Sequence, residues 1–197
     1  MKRRDVLKGM GLSVGYAMAT PTLLSLLQSC STDAVIWTPK YLNADEGAVL
    51  ENLIDLILPV TDNSPGAIEV NVPQFVDLYY GKAMDKEAQS EFNVGMEAIM
   101  AELNISKDTN PVSNIKTEEY DKLLARYLRT NKEEQKKLRE EESLVFGALV
   151  DLRNTSVWAY RTSERVGKDV LAYDPIPGVQ LGCITLEEAT GGKKWSL

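Results

Sequence analysis

The chain has 197 residues, a net charge of −7, 44% hydrophobic and 7% aromatic residues, a globular rather than a disordered composition. It contains no histidine and two cysteines, Cys30 and Cys183, which excludes Cys-x-x-Cys-His haem attachment, His-ligated zinc, a histidine general base and an iron–sulfur cluster. The acidic balance disfavours phosphate backbones, so no nucleic-acid partner is expected.

At the start, Lys2, Arg3, Arg4, Asp5, Val6, Leu7 and Lys8 read as a twin-arginine export signal, in which a receptor recognises the Arg3–Arg4 pair. The apolar stretch from Gly9 to Leu27 is interrupted by Gly11, Ser13, Gly15, Thr20 and Pro21. Its length is near the lower limit for a membrane span, and these residues argue against a stable anchor. An ordinary secretory signal would share the positive flank and the apolar run. Leu27, Gln28, Ser29 and Cys30 follow the bacterial lipoprotein cleavage pattern, making Cys30 the expected lipidation site. Residues 1–29 are therefore set aside as a signal peptide, 30–42 as a tether and 43–197 as one domain. Four cations and one anion leave with the signal, so the remainder is more acidic still. If Cys30 is lipidated, Cys183 stands alone; otherwise the two can pair in an oxidising compartment.

In the tether, Trp37 and Pro39 are expected to dock on the domain. Asn43 and Glu46 form a capping box opening a first helix, whose apolar face holds Val49, Leu50, Leu53, Ile54 and Ile57 before Pro59 stops it. Thr61–Gly66 is dense in turn residues and predicts a loop. Pro73 suits the first turn of a short second helix through Tyr80. Residues 85–103 predict a third helix, with Phe92, Met96, Ile99 and Leu103 at helical spacing. Thr117 is expected to cap a fourth, carrying Leu123, Leu124, Tyr127 and Leu128. Asn131 with Glu134 predicts a further capping box and one helix running on to about Arg161. From Val166 onward Gly167, Pro175, Pro177, Gly178, Gly182, Gly191 and Gly192 predict an irregular arm. The expected fold is all-α, about five helices with that Pro/Gly-rich arm.

Few constellations suggest chemistry. The run Lys132–Glu142 reads as a solvated helix face with opposite charges four apart, such as Glu133 with Lys137. Asp55, Asp62 and Asp77 have no spacing that specifies acid–base work or metal binding, so surface or capping roles are expected. Trp158, Tyr160 and Tyr173 fit either ordinary packing or a partner interface.

Three stretches together resemble the gluconate 2-dehydrogenase subunit 3 family. One is Leu58-Pro59-Val60-Thr61-Asp62 with Ser64-Pro65-Gly66-Ala67. The second is Val157-Trp158-Ala159-Tyr160 followed by Thr162, Ser163, Glu164 and Gly167. The third is Leu171, Tyr173, Pro175, Pro177, Gly178, Gly182 and Cys183. Their order and spacing look like the family over roughly residues 42–185. The resemblance implies a non-catalytic small subunit with no cofactor of its own. Its partner would be a flavin-dependent large subunit of the glucose–methanol–choline type carrying FAD, which passes electrons to a cytochrome c or a quinone. The small subunit would supply the export signal and support folding and translocation of the flavoprotein. The lipoprotein-like Cys30 adds membrane tethering, which is not general in that family. Contact with the partner is expected through Pro65, Gly66 and Ala67 and through the arm containing Trp158, Tyr160, Tyr173, Pro177, Gly178 and Cys183. The alternatives are a stand-alone periplasmic lipoprotein with carboxylate-based chemistry and one that binds a ligand.

Overall fold

A computed structural model describes residues 37–106, 108–176, 178 and 182–196 of the chain. The chain divides into two units, Met1–Trp37 and Thr38–Leu197. Arg3, Arg4, the Gly9–Leu27 run and Cys30 lie outside the described residues, as does Pro177.

The described part of the second unit is mostly helical, with no strand. Helix α1 spans Ala44–Ile57, and the anticipated capping box is present, Asn43 accepting from the Glu46 N–H while Glu46 accepts from the Asn43 N–H. Its face of Val49, Leu50, Leu53 and Ile54 is fully buried. Pro39, just before it, lies over Gly47, where a Cβ would come within 2.2 Å of the Pro39 ring. Only glycine allows that approach.

Helix α2, Val72–Leu78, has Pro73 in its first turn and runs into a π-helical turn, Tyr79–Ala83. Helix α3 covers Lys86–Glu102 behind an Asp85 cap. Buried Gln89 ties it to the π-turn, donating to the carbonyls of Gly81 and Met84, both at 3.2 Å. Helix α4 is Thr117–Tyr127. Thr117 is its first residue rather than its cap: Lys116 is extended, and the Glu119 carboxylate accepts from the Lys116 N–H.

The single helix expected from Asn131 to Arg161 is two. Helix α5, Lys132–Glu140, ends where Glu142 turns left-handed at φ 52°, and α6, Leu144–Thr162, begins behind a Ser143 cap. The break separates two environments: α5 buries no residue, whereas α6 buries Phe146, Leu149, Leu152, Ser156 and Ala159. On α5, Lys137 pairs with Glu141 at 4.0 Å rather than with Glu133.

Helix α6 is the hub, meeting each of α1 to α5. Its closest neighbour is α3, and their backbones approach at Gly95, where a Cβ would lie 2.7 Å from the Ala148 Cβ. The tail is more ordered than its composition suggests. Val166–Val170 is a second π-helical turn, and Leu186–Thr190 forms a short helix α7 with a Thr185–Glu188 capping box. Ala172 donates to the Lys194 carbonyl and accepts from the Ser196 N–H, both at 2.9 Å, so the last residues fold back onto the arm. The described helices therefore number seven, against the five expected.

Asp77 is fully buried and serves as neither surface group nor helix cap. One carboxylate oxygen accepts from the Lys40 N–H at 2.7 Å, the other from Leu42 at 2.9 Å and Tyr41 at 3.1 Å. The carboxylate clamps the strand of chain leading into α1 against α2. Among the described residues, no group of three or more Asp, Glu or Cys is placed to hold a metal ion, and no helix is long and apolar enough to cross a membrane.

Candidate partner interface

Helices α2 and α6 together present a run of aromatic rings. Phe75 and Tyr79, one turn apart on α2 and its π-extension, stack at 5.7 Å, and Trp158 on α6 meets both at 5.3 Å. Tyr79 contacts Tyr80 edge-on, and Tyr80 stacks on Phe92 of α3 at 3.9 Å. The inner end of the run is covered, with Tyr80 buried. The outer end is open: Trp158 is 43% exposed, Leu78 41% and Phe75 38%. Rings already locked against one another lose little freedom on binding, so this corner suits a protein contact.

The Pro65–Ala67 segment sits differently. Pro65, Gly66 and Ala67 are all buried within the chain, so they support the fold rather than offer a surface. Thr61 and Ser64 close the loop by reciprocal backbone bonds and a hydroxyl–hydroxyl contact of 2.8 Å. Ala67 donates to the Leu58 carbonyl at 2.9 Å, and a Cβ at Gly66 would stand 3.0 Å from the Val60 nitrogen. The Tyr160 hydroxyl then donates to the Pro65 carbonyl at 2.7 Å, joining two of the stretches read in the sequence across 95 positions. Tyr160 is half-buried by this contact, which makes it a strut of the loop.

The end of α6 and its π-turn lie beside the same loop. Glu69, Asn71, Ser163, Arg165, Lys168 and Asp169 line a shallow polar cleft there, with Arg165 4.0 Å from Glu69. Farther along the arm, Tyr173 is 51% exposed, and Gly178 and Cys183 are exposed. Of the residues singled out in the sequence, Trp158 and Tyr173 thus carry open aromatic surface, and Tyr160 and the loop hold each other. Sequence reading missed Phe75, Leu78 and Tyr79; the i, i+4 aromatic spacing of Phe75 and Tyr79 was the available signal.

Two groups nearby are electrostatically perturbed. Burial pushes the Tyr80 hydroxyl above its ordinary value, opposed by its hydrogen bond to Thr155, with the Asp151 and Tyr79 charges adding to the rise. Asp151 on α6 is also pushed up, by partial burial. Tyr80, Thr155 and Asp151 thus lie near one another on the inner side of the aromatic run, with Tyr80 and Thr155 joined by a hydroxyl–hydroxyl bond of 3.3 Å.

Tyr160→Phe tests the strut. Losing one neutral hydrogen bond while the ring stays in place should cost about 1 kcal/mol, or about 2–4 °C in thermal midpoint for a chain of this size, with faster proteolytic nicking between Thr61 and Pro65. An unchanged midpoint and cleavage pattern would show the contact to be idle.

Among the described residues the protein is helical, with a partly open aromatic corner formed by Phe75, Leu78, Tyr79 and Trp158. Residues 44–178 match the family described as gluconate 2-dehydrogenase subunit 3, and that match covers well over half of the sequence. The chain belongs to the gluconate 2-dehydrogenase subunit 3 family, and so to the subunits of a dehydrogenase complex. No curated protein and no solved structure matches it.

Proposed function

We propose that this chain is the non-catalytic small subunit of a flavin-dependent sugar or polyol dehydrogenase, carrying the export signal for the complex and supporting the folding of the large subunit. The family match over the helical domain carries this reading. FAD belongs to the large subunit, of the glucose–methanol–choline type, with a cytochrome c as a further component. Two features favour it beyond the family. The paired Arg3–Arg4 addresses a route for cargo folded before transport, while a chain without histidine offers few cofactor ligands of its own. Lipidation of Cys30 would hold the exported complex at the membrane, since a multiply acylated terminus anchors where a single chain does so only marginally.

The test follows from the receptor's need for guanidinium groups, for which lysine is not equivalent. Changing Arg3 and Arg4 together to Lys should trap both this chain and its flavoprotein in the cytoplasm. Fractionation that still finds the flavoprotein exported would reject the escort role. In the same fractions, mass spectrometry of the membrane-bound wild type should find Cys30 acylated and first in the chain; a peptide running through Ser29–Cys30 would reject the anchor.

A further inference from the structure

A second surface lies along the N-terminal part of α6, whereas the polar cleft is at its C-terminal end. A groove of about 690 Å³ is lined by residues of α3 and α6, including Gly95 and Ala148 at their close approach. Tyr80, Phe92, Met96, Ile99 and Phe146 supply its apolar walls. Val94 and Leu144, also on the walls, are 44% and 61% exposed, so apolar surface continues out of the groove onto the rim. Such continuity of apolar surface marks a contact site more than a solvent face.

The rim is charged with one dominant sign. Glu91, Glu142 and Asp151 line it against a single cation, Arg139, whose guanidinium lies over the Phe146 ring at 6.0 Å. None of the three carboxylates belongs to an ion pair among the described residues. Glu142 is held at this rim by its left-handed backbone at the α5–α6 joint. Asp151 is solvent-exposed but lies against enough protein to raise its pKa, and it has no cationic partner among the described residues, so an incoming ammonium or guanidinium would find its charge unmatched.

We propose that this groove receives a segment of the large subunit in which apolar side chains are flanked by lysine or arginine, the apolar groups filling the space between α3 and α6 and the cations meeting Glu91, Glu142 and Asp151. The charge of the rim selects this occupant: a second copy of this acidic chain would bring like charge to like, and a neutral apolar ligand would leave the carboxylates unmatched. The inference rests on the small-subunit reading above. Seating an apolar helical face in a groove with complementary ends is a recurring mode of recognition.

Gly147 provides a test that spares the fold. It lies exposed on the groove wall of α6, and a Cβ built there meets nothing within 4 Å. Gly147→Leu should leave the thermal midpoint equal or higher, because leucine favours a helix over glycine, while its side chain obstructs the groove. With the full chain and the large subunit co-expressed, Gly147→Leu should weaken their association at least tenfold. Asp151→Lys should weaken it comparably and flatten its dependence on salt, as a lost charge contact does. If both variants bind as wild type does, the groove inference falls while the small-subunit reading stands, because the complex still forms. Failure of the wild-type pair to associate at all overturns both. A dimer of this chain that Gly147→Leu dissociates would assign the groove to a second copy and overturn the inference alone.

Discussion

Replacing Asp77 by alanine is expected to lower the stability of the folded chain by about 3 kcal/mol, because a buried acceptor shared by three backbone donors disappears at once. The Leu42 N–H lies in buried surroundings, whereas those of Lys40 and Tyr41 are only part-buried. The donors therefore differ in what their loss costs, and the total is less than three full desolvation penalties. Relief of burying a lone carboxylate also works against the loss. For a chain of this length, about 3 kcal/mol corresponds to roughly 6–12 °C in thermal midpoint. Asp77→Asn keeps the volume and one acceptor oxygen, but turns an NH2 group toward a backbone N–H. It should recover part of the loss. Amide exchange at Leu42 should accelerate in both variants. Midpoints within about 1 °C of wild type for Asp77→Ala would show that the clamp contributes nothing, and that Pro39 on Gly47 fixes the segment alone.

Gly95→Val should be nearly as damaging, at about 2–3 kcal/mol, through crowding rather than loss. A Cβ at 95 would stand 2.7 Å from the Ala148 Cβ, and valine adds two more carbons at a point where both partners are helix walls. The helices must separate there, loosening Met96 and Ile99 on one side and Leu149 on the other, all of which are buried. Ala148→Gly alone should cost about 1 kcal/mol from helix propensity. Combined with Gly95→Val it should restore part of the loss, giving a favourable coupling of about 1 kcal/mol in a double-mutant cycle. Additive effects in urea titrations would place the strain elsewhere.

How far the sequence reveals this molecule depends on which partner a residue uses. Asn43 and Glu46 find each other three positions apart, and the α1 face repeats at helical spacing; both are local and were legible. The α5–α6 break was signalled by Ser143 ahead of an apolar run, but the charged residues before it blurred one helix into the next. Thr185 and Glu188 carried a capping signal that the surrounding glycines obscured. The π-turns at Tyr79–Ala83 and Val166–Val170 have no periodic signature at all. Asp77 was the least legible, because its partners are backbone amides some 35 residues earlier, and no side-chain pattern records them. At the candidate interface, Trp158 and Tyr173 stood out as large aromatics, and both are open. The burial of Pro65–Ala67 could not be read, since turn residues look alike whether the loop faces solvent or is braced by a tyrosine 95 positions away.

The central place of α6 sets an order of events during synthesis. Every helix from α1 to α5 leans on a segment translated after it; α1 can meet α2, α3 and α4 early, but the faces turned toward α6 stay uncovered until it is made. At about 5–20 residues per second, α6 emerges on the order of ten seconds after Arg3 and Arg4. Throughout that interval the leading arginines are already present on a chain that has no closed core. A fragment ending before Leu144 would keep Arg3 and Arg4 while lacking the helix on which the others pack, and its exposed leucines would be drawn to chaperones or to one another. Closure of this core is thus expected late in synthesis, once α6 is available to the helices that pack on it.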